Sequence, residues 1–298
     1  MKHKNILVIF SGFTAVAVIL RTLQLMFLIE HSTGFDKNNA NNGYIAIVIY
    51  ALYFVIAIGT YVLVNFFSKI QPSSRPEIEK SPFLAAVSLV LSAFLLISSA
   101  STVVFSDFTE NMASNTLSLL TGLFSFLFFL LYGMGKWAKI KLPSGFTVAP
   151  IIYFVYRLVI SFINYTGVTN ISENILDIIF LCLALLFFLL HGKILSGIEV
   201  RKSCRQIFSL GLLTFFLGCL NSLPLILTVA FGRDAELHSM PTLGTLEYLL
   251  FGIYALTFTL YLYGNNSRTA VECRKGESCE SEELPNESHP ESRDDTEE

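Results

Sequence analysis

Apolar stretches alternate with short polar gaps along the chain as far as Gly264: Ile6 to Ile29, Tyr44 to Phe67, Pro82 to Phe105, Asn115 to Met134, Val148 to Tyr165, Ile175 to Leu195, Ile207 to Phe231 and Leu246 to Tyr263. A helix crosses the hydrocarbon core of a bilayer in about 20 mostly apolar residues, and each stretch is of that order. The stretches are continuous and rich in leucine and phenylalanine, whereas barrel strands would be about 10 residues long with alternating polarity. The pattern predicts an all-α fold, a polytopic membrane helical bundle of eight transmembrane helices.

The gaps orient this bundle. Lys2 and Lys4, then Lys69, Arg75 and Lys80, then Lys136, Lys139 and Lys141, then Lys193, Arg201, Lys202 and Arg205, and finally Arg268, Arg274 and Lys275 fall on one side; the other side holds only Lys37 and Arg233. The excess of Lys and Arg marks the cytoplasmic side, so both termini are expected in the cytoplasm of a cell-membrane protein. The fifth stretch is the shortest and carries Pro150, Arg157 and Asn164. Were it not to span, the basic gaps on either side of it would face opposite compartments, which favours eight spans over seven. Arg21 does not disqualify the first stretch: a central arginine costs about 2.5 to 3.5 kcal/mol, and each flanking Leu, Ile, Phe or Val returns about 0.3 to 0.6. No small-x-small cleavage site follows it, so it is expected as an uncleaved helix and not a signal peptide.

Hydrophobic residues make up 53% of the chain, phenylalanine occurs 27 times and charged residues are 14%. From Asn265 onward the balance shifts to eleven acidic against four basic residues. This segment, 265–298, is expected as a disordered acidic cytoplasmic tail, read either as a solubilising end or as a docking segment for a cytoplasmic protein. The five cysteines include no CxxC pair, and Cys182, Cys204 and Cys219 lie in or beside membrane helices as small apolar residues. No metal site, cofactor or nucleic-acid partner is expected.

Two halves of the chain align. TLSLLTG and LLYG between Asn115 and Gly133 match TLEYLLFG and YLYG between Gly244 and Gly264; Arg21 and Arg157 each precede a Thr-Gly pair; Ser88, Phe94 and Ser101 match Ser209, Phe215 and Ser222. Four helices per half put both repeats in the same sense, giving a 4+4 parallel internal repeat, 1–141 and 142–264, about an axis along the membrane normal. Parallel repeats recur in transporters and also in duplicated bundles that transport nothing.

Arg21, Arg157, Asp177 and Glu247 are the ionisable residues expected at membrane depth, in the outer half. Such groups are expensive in lipid and face a bundle interior or a wet cavity. Two cations and two anions at similar depth can pair, for example Arg157 with Asp177 in the adjacent fifth and sixth helices and Arg21 with Glu247. Two readings stand: ion pairs that lock the bundle, or a site for a solute or proton, with arginine suited to a bidentate grip on carboxylate or phosphate. Gln24 lies on the face of Arg21, Tyr153 and Tyr156 flank that of Arg157, and Asn221 precedes Pro224 by one turn, where a kink is expected, read either as structural or as a gate. Ala85, Ser88, Ser92 and Ser99, and Gly211, Thr214, Gly218 and Asn221, form small-residue faces that packing explains. His191, beside Lys193, is expected at the membrane interface.

The enzyme signatures HExxH, GxSxG and GxxxxGK[ST] are absent, so no catalytic residues are assigned and an enzyme is not expected. Two functions remain: a permease for a small anionic or zwitterionic solute, with Arg21, Gln24, Arg157, Asp177, Asn221 and Glu247 as its polar layer, or a non-transporting sensor or assembly subunit acting through its tail. Leu20-Arg21-Thr22-Leu23-Gln24, with Ile29-Glu30 and Thr33-Gly34-Phe35, resembles uncharacterised multi-pass membrane proteins of Gram-positive anaerobic bacteria. The resemblance covers the first helix and its exit, implies a bacterial plasma membrane, and implies no mechanism. Glu30-His31-Ser32 stands where those proteins tend to carry an Asp-Pro-Glu type turn.

Overall fold

A computed structural model describes residues 3–30, 40–62, 64, 81–105, 112–138, 143–165, 172–198, 200–232 and 243–274. Eight long helices account for nearly all of them: α1 (His3–Leu23), α2 (Ala40–Val62), α3 (Pro82–Phe105), α4 (Met112–Ala138), α5 (Ala149–Tyr165), α6 (Ser172–Leu195), α7 (Val200–Ala230) and α8 (Leu243–Arg274). Among the described residues, eight helices are long and apolar enough to cross a membrane, and each overlaps one of the expected stretches. Lipid offers no hydrogen-bonding partner to a peptide group, so a spanning segment must satisfy its backbone within itself, as a helix does. The Thr33-Gly34 turn and positions 275–298 of the expected tail lie outside the described residues. α8 continues as helix past the expected boundary at Gly264.

The ends of the helices follow local chemistry. Ser81 opens α3: its hydroxyl accepts from the Leu84 N–H at 3.3 Å, and Pro82 follows where a missing N–H costs nothing. Pro150 is the second residue of α5, behind a 3-10 turn over Ser144–Val148, so it starts that helix and does not interrupt it. α6 stops at Gly197, whose φ of 76° suits glycine, with Ile198 N–H donating to Lys193 C=O at 2.9 Å and Gly197 N–H to Ile194 C=O at 3.1 Å. α1 runs into a π-helical turn, Gln24–Leu28. Pro224 lies inside α7, which passes through it as one helix.

α7 and α8 together form the centre of the bundle. Phe251 touches Phe129 of α4, Phe154 of α5 and Phe188 of α6, with ring centroids 5.9, 4.7 and 5.8 Å away. Gly252 lies against Phe215 of α7, and α3 packs along the remaining side. α1 and α2 stand outside this cluster on α7, where Phe10 meets Phe215 at 6.3 Å. The spans of α7 and α8 are accordingly 67% and 56% buried, against 22% for α2. The two halves are not packed alike, for α6 is held between α5 and α7 while α2 lies on α1 and α7.

The small-residue faces do pack. Ala85, Ser88, Ser92 and Ser99 are buried, and the Ser88 hydroxyl donates to the Phe129 carbonyl at 2.7 Å across the α3–α4 contact. At the α7–α8 crossing a methyl group added to Gly218 would sit 2.7 Å from the Tyr248 carbonyl oxygen and 3.4 Å from Gly252 Cα, so the backbones meet there without side chains between them.

Candidate functional site

Near the end of the bundle where α8 begins, one carboxylate gathers three partners. Glu247 is 1% exposed. Its Oε1 accepts from the Tyr153 hydroxyl of α5; its Oε2 accepts from the Ser98 hydroxyl of α3 at 3.5 Å and lies 3.8 Å from Arg157 Nη1 of α5. Tyr153 and Arg157 are one turn apart on α5, which lets both reach the same acid. Arg157 also donates from Nη2 to the Tyr248 hydroxyl at 3.3 Å, and its guanidinium stands 6.0 and 5.8 Å from the ring centres of Tyr153 and Tyr248, within cation–π range. A buried carboxylate needs both a countercharge and hydrogen bonds, and here α3 and α5 supply them to α8.

The expected ion pairs are thus corrected. Arg157 pairs with Glu247 and not with Asp177, and Glu247 is taken by Arg157 and not by Arg21. The reason is packing: Glu247 at the start of α8 meets Tyr153 and Arg157 of α5, while α1 packs on α7. Asp177 of α6 instead accepts from Asn221 Nδ2 of α7 at 3.2 Å. Arg21, 2% exposed, donates from Nη1 to Gln24 Oε1 at 2.9 Å and to the Tyr50 hydroxyl of α2 at 3.5 Å, and Gln24 Nε2 donates to the same hydroxyl at 2.8 Å. Gln24 therefore shares the face of Arg21 as expected, inside the π-helical turn. Tyr156 turns to α4, donating to the Ser114 carbonyl at 2.7 Å.

Three of these partners escape the sequence. Tyr50, Ser98 and Tyr248 lie in apolar runs where tyrosine and serine are common, and only the adjacency of Tyr248 to Glu247 hints at a role. His191, expected at the membrane interface, is fully buried between helices. It packs against Phe128, Tyr132, Phe187, Phe188 and Phe258, and its Nε2 is 2.9 Å from the Tyr254 hydroxyl. Its Nδ1 has no partner among the described residues. Lys193, two positions on, follows the helix to its end, whereas His191 faces the interior.

Among the described residues no group of three His, Cys, Asp or Glu side chains stands close enough to hold a metal ion. What the site offers is a charged pair closed on the Glu247 side and part open on the Arg157 side, where 28% of the arginine side chain is exposed. Such an arrangement can receive a charged or hydrogen-bonding group by the arginine while the acid stays fixed. Comparison of the chain with protein-family models, with curated proteins and with solved structures finds no match to any of them.

Proposed function

We propose that this multi-pass membrane protein handles a small anionic or zwitterionic solute at the Arg157–Glu247 pair. The observation that carries this reading is the inequality of the pair: Glu247 is held by three side chains and is 1% exposed, whereas Arg157 is 28% exposed and is joined to it across 3.8 Å. A pair built only to lock the bundle would be expected to close both members. The permease reading also draws on the depth expected for the charges and on the small-residue contacts of α3 with α4 and of α7 with α8, the third and fourth helices of each proposed half. The sequence alignment of the halves supports a parallel duplication, 1–141 and 142–264. The basic gaps support cytoplasmic termini, and the resemblance of the first helix supports a bacterial plasma membrane.

The test is uptake into proteoliposomes of a radiolabelled mixture of amino acids and small organic acids. Uptake above that of empty liposomes, lost in Arg157→Ala, is the expected result; no uptake by the intact protein would reject transport. A second reading, a sensor or assembly subunit acting through 265–298, is favoured by the hydrogen bonds that satisfy Glu247 and by the tight α7–α8 crossing. It predicts that a cytoplasmic protein is retained by the intact chain and released when 275–298 is removed.

A further inference from the structure

Tyr248 has different chemistry on its two flanks. On one is Arg157, whose guanidinium carries five N–H donors. Among the described residues it spends one on the Tyr248 hydroxyl, at 3.3 Å, and meets Glu247 only at 3.8 Å, so it is not forked onto that acid. On the other are Asp177 and Asn221. The ring of Phe180, one turn after Asp177 on α6, lies 4.7 Å from that of Tyr248, and Gly218, one turn before Asn221 on α7, lies against the Tyr248 carbonyl. Since Asn221 gives its amide nitrogen to Asp177, its carbonyl oxygen is left as an acceptor beside a carboxylate. One flank donates to an anion and the other accepts from a cation.

Accessibility agrees with this division. Arg157, Asp177 and Asn221 are part exposed, whereas Glu247, Tyr153 and Tyr248 are buried. Charge then discriminates between ligands. A simple anion would bring an unmatched charge to membrane depth, where unbalanced charge is expensive. A ligand with one anionic and one ammonium group adds no net charge and has a partner for each end.

We propose that Arg157, Tyr248, Asp177 and Asn221 form a recognition site for a zwitterion, its anionic group on the Arg157 fork and its ammonium group on Asp177 and the Asn221 carbonyl oxygen. The proposal rests on the solute-handling reading and narrows its ligand from anion or zwitterion to zwitterion. The chemistry is shared by free amino acids and by the phosphoethanolamine headgroup of a lipid.

The test uses the full-length protein in nanodiscs of phosphatidylglycerol, with alanine, glutamine and leucine as zwitterions, their N-acetyl derivatives as anions and their methyl esters as cations. Thermal unfolding reads binding, because a ligand of the native state alone raises Tm in proportion to its affinity. A saturable rise with at least one free amino acid, absent with both of its derivatives, is expected. Arg157→Lys, which keeps a countercharge for Glu247, and Asp177→Asn should each weaken that binding about tenfold, the loss of one charge-assisted hydrogen-bonding interaction. If the occupant is instead the lipid headgroup, Tm of the unliganded protein rises when phosphatidylethanolamine is included, and falls back in the same two variants.

An N-acetyl derivative that binds as well as its parent would overturn the zwitterion site and leave anion handling standing. Binding unchanged in both variants, or no response to any amino acid or to phosphatidylethanolamine, would overturn the site itself. A zwitterion that binds but is not taken up by proteoliposomes would leave the site standing and reject transport.

Discussion

At Glu247 a carboxylate with 1% exposure is held by Tyr153, Ser98 and Arg157, and the consequence of removing any one of them depends on what is left behind. Arg157→Ala strands the acid without a countercharge; in soluble proteins breaking a buried pair in this way costs about 3 to 5 kcal/mol. Removing both charges, in Arg157→Ala/Glu247→Ala, leaves a gap but no orphan. We therefore expect the double variant to unfold at a higher temperature than Arg157→Ala, in thermal denaturation of each single and double variant in nanodiscs. Losses that merely add would mean that the two side chains are not coupled. The opposite kind of polar residue is His191, whose Nδ1 lacks a partner among the described residues in an aromatic cage. His191→Phe removes the unsatisfied Nδ1, which costs about 1 to 3 kcal/mol, but leaves the buried Tyr254 hydroxyl without its His191 bond, a cost of about the same size. Its stability should therefore lie close to that of the native chain, while His191→Ala should lose about 3 kcal/mol to the cavity. A large loss in His191→Phe would instead show that Nδ1 holds a buried water.

The contact of α7 with α8 sets the geometry around Tyr248, because its backbone carbonyl is the atom nearest to Gly218. Gly218→Ala places a methyl group 2.7 Å from that oxygen, a distance that only a shift of one helix can relieve. Overpacking of this kind costs about 1 to 3 kcal/mol, more than the roughly 1 kcal/mol that alanine gains over glycine in a helix. Gly12→Ala in α1 is the control: nothing lies within 4 Å of the added carbon, so only the helix gain of about 0.5 to 1 kcal/mol should appear. Equal Tm values for the two variants would contradict the close crossing. Elements were the scale at which the sequence was most informative, since a span has to be long, apolar and helical, and its limits show in composition alone. Pro150 is the exception, for a proline in the first turn and one that breaks a helix look alike until the preceding 3-10 turn is seen. The small faces of α3 and α7 were also legible, because in lipid close helix approach selects small side chains directly.

Across the whole molecule the sequence was least informative about which helix touches which. In water an apolar face points inward, but in a bilayer lipid and protein interior are equally apolar, so periodicity does not mark the buried side. That is why the central place of α7 and α8, the exterior place of α2 and the pairing of Arg157 with Glu247 had to come from packing. Orientation along the membrane normal is different, because the distribution of Lys and Arg between the gaps predicts it. The basic gaps lead to a prediction that the packing alone does not make. In a chain whose five cysteines have been replaced, single cysteines at Lys37, Lys139 and Lys202 should react differently with a membrane-impermeant maleimide in intact cells. Lys37→Cys should label at once, and Lys139→Cys and Lys202→Cys only after permeabilisation. The last two carry the decisive comparison. Between them run α5 and α6, so they share a compartment only if α5 crosses the membrane despite Arg157. Label on opposite sides would take α5 out of the bilayer core, and with it the polar layer built on Arg157 and Glu247; label on the same side would fix that layer at membrane depth, where its charges must be matched by one another or by a ligand.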